Sequence, residues 1–124
     1  MNAKKVVLSF WESMHSNDFV AASKWLTEDF TGDWPQSSEL IYGRENFIAV
    51  NTEYPVSGNW AFVVNSIVCE GDTVVTDVSI SDNDQGARAI TFHTVKDGLI
   101  FKQTEFWPDN YNAPKWRSRW VKTY

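Results

Sequence analysis

The spacing of apolar residues in the first half of the chain is typical of helices. Along residues 4–15 the large apolar side chains recur at helical spacing, at Val7, Phe10, Trp11 and Met14, and this predicts an amphipathic helix. Asp18 is suited to cap a second, short helix that runs to Leu26. A third helix is predicted over residues 44–54, and Pro55 ends it.

From Asn59 onward the apolar period changes to two, and β-branched and aromatic residues become frequent, which predicts strands. The predicted strands are Trp60–Cys69, Thr73–Ser81, Arg88–Lys96 and Leu99–Trp107. The last two are joined by Asp97-Gly98, the strongest hairpin signal in the chain. A short extended segment, Phe30–Trp34, lies before the third helix, and residues 36–41 form either a loop or an edge strand.

Helices followed by consecutive hairpins indicate an α+β fold with an antiparallel sheet, not a parallel α/β fold. Because the chain shows no linker, internal repeat or low-complexity segment, a single domain over residues 1–124 is predicted. Near the C-terminus, Asn112 is suited to cap a last helical turn, with Pro114 inside it and Trp116 on its packed side.

The composition limits the partners that the chain is expected to have. The formal net charge is −5, whereas a surface for nucleic acid or anionic membrane needs a basic face, so neither partner is expected. The sequence lacks a long apolar run for a signal peptide or a membrane span, and a cytoplasmic location is the expectation. The single cysteine cannot form an internal disulfide, and with two histidines it makes a poor metal set, so no metal is predicted.

Aromatic residues are unusually frequent, since seven Trp, four Tyr and eight Phe make up 15% of the chain. Buried indole N–H and phenol O–H groups need hydrogen-bond partners. Such a content indicates either a thick core with a dimer interface or an aromatic-lined cavity. Composition leaves both interpretations open.

The Asp97-Gly98 turn predicts which side chains of the last hairpin share a face. A two-residue loop pairs Lys96 with Leu99, and an uninterrupted ladder then places Phe92 opposite Gln103. Side chains alternate between the two faces of a strand, so this register divides the whole hairpin into two sets.

Lys102 assigns these two sets to an outer and an inner face, because a lysine is difficult to bury. His93 and Ile100 share the face of Lys102, so His93 is predicted to be a surface or interface residue. The inner face is then predicted to carry Ile90, Phe92, Thr94, Phe101, Gln103, Glu105 and Trp107.

Glu105 is the leading candidate for chemistry, because the register places it among aromatic side chains. Desolvation should raise the pKa of such a carboxyl group, which suits proton transfer near neutral pH. The alternative is that Glu105 is a structural acid held by hydrogen bonds, or that a bulge turns it outward.

Asp77 is a second candidate, since Asp is disfavoured in the middle of a strand. If Asp77 shares the pocket with Glu105, the two acids titrate as a coupled pair. If Val74, Val78 and Ile80 hold the inner face, Asp77 is an outward-facing acid.

Several chemistries have no support in the sequence. There is no Gly-rich loop before a helix, no serine in a Gly-x-Ser-x-Gly context, and no sign of activation around Cys69. No cofactor is therefore predicted.

The element order and three stretches together resemble the nuclear transport factor 2-like superfamily, and most closely its SnoaL-like branch. The stretches are Trp34–Glu39 leading to Gly43–Asn46, Lys96–Ile100, and Thr104–Asp109 ending in Pro114–Arg117. The resemblance covers nearly the whole chain. It implies a cone-shaped fold in which three helices and a curved sheet enclose a cavity, and it implies a homodimer.

The resemblance carries functional residues over only in part. An acid on the last strand is the general acid/base of SnoaL-like cyclases, and Glu105 occupies that place. Ketosteroid isomerases use a tyrosine on the first helix and an aspartate before the proline that follows the first strand. Phe10 and Trp34 stand in those two places here, and Asp33 lies one residue early, which would turn it to the other face. Epoxide hydrolases of this fold need an Arg–Asp pair on one strand, and the sequence contains none.

The function expected from the sequence is that of a small-molecule pocket protein, similar to a cyclase or an isomerase, acting on a hydrophobic carbonyl compound. Glu105 is the expected general acid/base, with Asp77 or Asp33 as the second polar group. The residues expected to contact the ligand are Trp34, Tyr54, Phe92, Gln103, Trp107 and Trp116. The alternative is a non-catalytic ligand-binding or dimerisation module.

Overall fold

The computed structural model describes all 124 residues. Two helices are followed by two strands, a third helix and then four more strands. The helices are α1 (Ala3–His15), α2 (Phe19–Ser23) and α3 (Gly43–Glu53). The strands are β1 (Leu26–Trp34), β2 (Glu39–Tyr42), β3 (Ala61–Glu70), β4 (Thr73–Ser81), β5 (Gly86–Lys96) and β6 (Leu99–Phe106). The predicted α+β class is confirmed.

Two of the helices begin at side-chain caps. The Asn2 side chain accepts a hydrogen bond from the Lys5 backbone N–H at 2.9 Å, and Asp18 caps α2 as predicted, accepting from the Ala21 N–H at 2.9 Å. The second helix is shorter than predicted. It ends at Ser23, and Leu26 begins β1, because Leu26 pairs with Ile100 across the sheet.

The sheet has the strand order β2-β1-β6-β5-β4-β3. All neighbouring strands are antiparallel except β1 and β6, which are parallel, so the sheet is mixed and the prediction of a wholly antiparallel sheet is corrected at this pair. Hairpin signals specify only the pairing of consecutive strands. They carry no information about β1, which joins the last strand of the chain.

The helices cover one face of this curved sheet. The buried side of α1 packs against β3, and α3 packs against β1. The core between them is made of buried apolar residues from both layers, including Val7, Phe10, Phe47, Val74, Val78 and Ile100. None of the helices combines the length and the apolar sequence required to cross a bilayer.

The turn of the β5–β6 hairpin forms as predicted, but the register of the two strands beyond it differs from the prediction. Asp97 and Gly98 have φ of 52° and 79°, as a type I′ turn requires, and Lys96 pairs with Leu99. The ladder then shifts, because β6 contains a bulge at Phe101: Val95 pairs with Ile100, but the next pair is Thr94 with Lys102.

This bulge reverses the predicted faces of β5. His93 lies opposite Gln103, and Thr91 lies opposite Glu105, so Thr91 and His93 face the helices. Phe92 lies opposite Thr104 and is 45% exposed on the outer face. The predictions that Phe92 faces inward and that His93 lies on the surface are therefore wrong, since an extra residue in one strand changes the parity of the register.

The C-terminal segment forms less helix than predicted. Only a single 3-10 turn is present, at Lys115–Arg117, and it begins after Pro114 instead of at Asn112. Trp116 and Trp120 remain 74% and 71% exposed.

The turn geometry predicts a stability effect at Gly98. A Cβ at this position would contact nothing within 4 Å, so the cost of Gly98→Ala comes only from its left-handed backbone. We expect urea denaturation to show a loss of about 1 kcal/mol in the free energy of unfolding. Gly86→Ala is the matched control, because Gly86 does not have a positive φ and the added Cβ would make only an ordinary contact. An equal loss in both variants would contradict this explanation.

Candidate functional site

A pocket lies between the helices and the concave face of the sheet, with a cavity volume of about 130 Å³. Most of its lining is apolar and comes from α1, α3 and β3, including Phe10, Trp11, Met14, Phe47 and Phe62. Polar side chains reach it at four positions: Asn51, Gln85, Gln103 and Glu105. This volume is close to that of an apolar cavity that accepts benzene, about 150 Å³, and well below the roughly 300–1,000 Å³ of pockets for drug-sized ligands.

Glycine at position 32 leaves space in the pocket wall. Gly32 lies on the inner face of β1 opposite Gln103. A Cβ there would lie 3.3 Å from two ring atoms of Phe30 and 3.6 Å from Cβ of Ile41. Any side chain at this position would therefore crowd the wall.

Glu105 is held in the pocket by hydrogen bonds to both carboxyl oxygens. Trp34 Nε1 donates to Oε1 at 3.1 Å, and Thr91 Oγ1 donates to Oε2 at 2.6 Å. Trp34 comes from β1 and Thr91 from β5, so the strands on either side of β6 both orient the carboxyl group. The part of Glu105 that stays accessible borders the pocket.

The environment of Glu105 favours its neutral form. Desolvation by burial raises the pKa of Glu105 above its usual value, and the hydrogen bonds from Thr91 and Trp34 oppose this only in part. A raised pKa brings this carboxyl group closer to the pH at which a group that transfers protons is most effective.

Two aromatic pairs border the same pocket. Trp34 and Trp107 are T-shaped with ring centroids 6.1 Å apart, and Tyr54 and Trp60 are T-shaped at 5.9 Å. Of the residues expected to contact a ligand, Trp34, Tyr54, Trp107 and Gln103 line the pocket.

The structure places the remaining candidate residues outside the pocket, which corrects their predicted positions. Phe92 is on the outer face because of the bulge, and Trp116 is an exposed residue whose ring lies 5.8 Å from the Arg117 guanidinium. Asp33 pairs with Leu40 and Thr104 on the outer face, one residue out of phase with Trp34.

Asp77 is an outward-facing acid, the second of the two interpretations left open by the sequence. Val74, Val78 and Ile80 hold the inner face of β4. Asp77 forms an ion pair with Arg88 on the outer face, and the hydrogen bond from this guanidinium lowers the pKa of Asp77. Glu105 and Asp77 therefore do not form a coupled pair.

A chain of buried hydrogen bonds lies beneath the pocket. Trp11 Nε1 donates to Thr76 Oγ1 at 3.2 Å, Thr76 Oγ1 lies 2.9 Å from His93 Nε2, and His93 Nδ1 lies 3.1 Å from the Gln103 amide nitrogen. His93 has no accessible surface, and its burial lowers its pKa to about 3. The ring is therefore neutral near pH 7.

Sequence reasoning missed three polar residues for two reasons. The register error placed Thr91 and His93 on the outer face, and Thr76 was given no role. A signal for Thr76 and Thr91 was available, since isolated threonines among buried β-branched residues often hold a polar neighbour by a hydrogen bond. Asn51 lies on a helix, and Trp60 and Gln85 lie in loops. The hairpin register does not predict whether these side chains face the pocket. No group of three or more His, Cys, Asp or Glu side chains is arranged to hold a metal ion.

Solved structures with this architecture include nuclear transport factor 2-like proteins. One from Burkholderia xenovorans, of unknown function, is 31% identical, with a TM-score of 0.80 over 98% of this chain and 94% of that protein. One from Kribbella flavida, provisionally described as a ketosteroid isomerase, is 27% identical, with a TM-score of 0.90 over 98% and 89% of the two chains. A provisional SnoaL-like polyketide cyclase from Jannaschia is 19% identical and has a TM-score of 0.70 over 85% and 84%, which shows the fold alone.

The sequence profile of the SnoaL-like domain matches residues 7–103. The chain therefore belongs to the SnoaL-like domain family, as the sequence motifs indicated. A search of curated proteins gives no match.

The buried His93 predicts a loss of stability in acid. The unfolded chain takes up a proton on this ring below about pH 6.5, while the folded ring stays neutral down to about pH 3. The folded state therefore loses about 1.4 kcal/mol per pH unit from this residue, or about 2 kcal/mol between neutral pH and pH 5. Urea denaturation at several pH values measures this loss.

The matched control is His93→Gln, which keeps a donor and an acceptor but cannot titrate. The raised pKa of Glu105 acts in the opposite direction, because the folded state binds the extra proton there, and this contribution is common to both proteins. The variant should lose about 2 kcal/mol less than the wild type over the same range. Identical pH slopes would contradict the assignment.

Proposed function

We propose that the pocket binds a small, mainly apolar molecule of about one ring that carries a carbonyl group, and that Glu105 moves a proton on it. The observation that supports this most directly is the Glu105 carboxyl group, which borders an apolar pocket and has a pKa raised by desolvation. The cavity of about 130 Å³ limits the enclosed part of the ligand to one ring.

The proposed step is a proton transfer within the ligand. The Glu105 carboxylate removes a proton from a carbon next to the carbonyl group, and the electron pair moves into an enolate. The carboxylic acid formed in this way returns the proton to the same molecule at another carbon, so that no other reactant is consumed. Trp34 and Thr91 keep both oxygens of the carboxyl group oriented during the transfer.

A one-ring enone provides a direct test. We expect the protein to convert 3-cyclohexenone to the conjugated 2-cyclohexenone, which is followed by its ultraviolet absorbance. Glu105→Gln should lower the rate by about 100-fold or more, because the amide cannot accept the proton. The rate should rise with pH through the raised pKa of Glu105 and then level off, since the carboxylate is the active form.

Asp77→Asn is the matched control, because it neutralises an acid on the outer face of the sheet without touching the pocket. This variant should keep the wild-type rate. Undiminished turnover by Glu105→Gln, or an equal loss in both variants, would remove Glu105 from the mechanism.

A second candidate function is binding without chemistry. It is favoured by the fact that both oxygens of Glu105 already have protein donors, as in a structural acid. Four tryptophans line the pocket, so quenching of their fluorescence by cyclohexanone reports binding directly. Saturable quenching without any turnover of 3-cyclohexenone would favour this candidate.

We also propose that the protein forms a homodimer through the outer face of the sheet. Phe92 is 45% exposed there and packs edge-on against Phe106, and Val63 and Val68 of the edge strand β3 are 54% and 65% exposed. Exposed apolar side chains in such numbers are typical of a protein contact. A cytoplasmic location remains a prediction from the sequence.

The dimer is tested by measuring molar mass with light scattering over a range of concentrations. We expect a dimer for the wild type, and a shift to monomer for Phe92→Glu, because a buried unpaired carboxylate destabilises an interface. Val20→Glu places the same charge at an exposed apolar residue of α2 and should stay dimeric. A monomeric wild type at every concentration would reject the proposal.

A further inference from the structure

The buried hydrogen-bond chain beneath the pocket has a direction that can be worked out from its donors. The Trp11 indole N–H can only donate, so Thr76 Oγ1 accepts this bond. The Thr76 hydroxyl hydrogen then needs an acceptor of its own. His93 Nε2, at 2.9 Å, is the only other hydrogen-bond partner of this hydroxyl group.

The direction of this bond fixes the tautomer of His93. If Thr76 donates to Nε2, this nitrogen carries no hydrogen, and the neutral ring must carry its hydrogen on Nδ1. The opposite tautomer would leave the hydroxyl hydrogen of Thr76 buried without an acceptor, which is costly in a site with no accessible surface. The Nδ1–H form should therefore dominate by about tenfold or more.

The tautomer in turn fixes the amide of Gln103. A protonated Nδ1 must donate, so the amide atom facing it has to be the oxygen. An amide can turn by 180° about its last bond with almost no change of shape, which exchanges its oxygen and nitrogen. After this turn the NH₂ group is the part of Gln103 that faces the pocket, which Gln103 lines.

We propose that His93 is a positioning residue that holds the Gln103 amide with its NH₂ group towards the pocket, where it donates a hydrogen bond to an acceptor oxygen of the ligand. Gln103 and Glu105 are two positions apart on the same face of β6, so they are about 7 Å apart along the strand. This distance suits a one-ring ligand whose carbonyl oxygen meets Gln103 while a neighbouring carbon meets Glu105. The inference deepens the proposed function and, for its ligand, rests on it.

The first experiment tests the tautomer without any ligand. Nitrogen-15 NMR of the histidine rings distinguishes a protonated from an unprotonated nitrogen, and His93 should be protonated at Nδ1. Thr76→Ser keeps the hydroxyl donor and should give the same spectrum. A wild-type ring protonated at Nε2 would overturn the proposal.

The second experiment tests the donor with a matched pair of probes. Cyclohexanone and methylenecyclohexane have nearly the same shape, but only the ketone carries an acceptor oxygen. Titration followed by tryptophan fluorescence should show about tenfold tighter binding of the ketone by the wild type, and Gln103→Met should abolish this preference. The wild-type comparison needs no variant to fold.

The outcomes separate this inference from the proposed function. Equal affinity for the two probes, or a preference that survives in Gln103→Met, would overturn the role of Gln103 and leave a pocket for apolar molecules. Failure of both probes to bind would overturn the proposed function and the ligand role of Gln103 together.

Discussion

The bulge at Phe101 is the constraint on which the candidate site depends. Without this extra residue, β5 and β6 would pair in one continuous register, and Phe92 would oppose Gln103. With it, the two strands place Thr91 and His93 beside Glu105 and Gln103 on the inner face. A single inserted residue therefore replaces Ile90 and Phe92 on the inner face of β5 with Thr91 and His93, two polar partners for the pocket.

Burial shifts the pKa values of two ionisable groups on this face, Glu105 and His93, by the same physical effect. Burial disfavours the charged form of each group, so it raises the pKa of the Glu105 acid and lowers that of the His93 base. The hydrogen bonds of the two groups hold them in different places. Those from Trp34 and Thr91 hold the Glu105 carboxyl group at the edge of the pocket. Those with Thr76 and Gln103 satisfy the His93 ring inside the core.

The sequence predicts the local features of this fold well. Alternation, helix caps and the Asp97-Gly98 turn each depend on neighbouring residues, and the difficulty of burying Lys102 correctly places Gln103 and Glu105 on the inner face. Features that depend on contacts between distant parts of the chain cannot be predicted from neighbouring residues alone. The parallel pairing of β1 with β6 and the bulge at Phe101 belong to this class, and the error about His93 follows from the bulge.

The glycine at position 32 has a consequence for the range of molecules that the domain can accept. The wall of β1 has room at this point only because no Cβ crowds the Phe30 ring and Ile41. Replacement of one hydrogen by a methyl group would narrow the chamber without altering Glu105 or the hydrogen bonds that hold it. The size of the chamber and the arrangement of the carboxyl group are thus separable in this protein, and the first can diverge among descendants while the second stays intact.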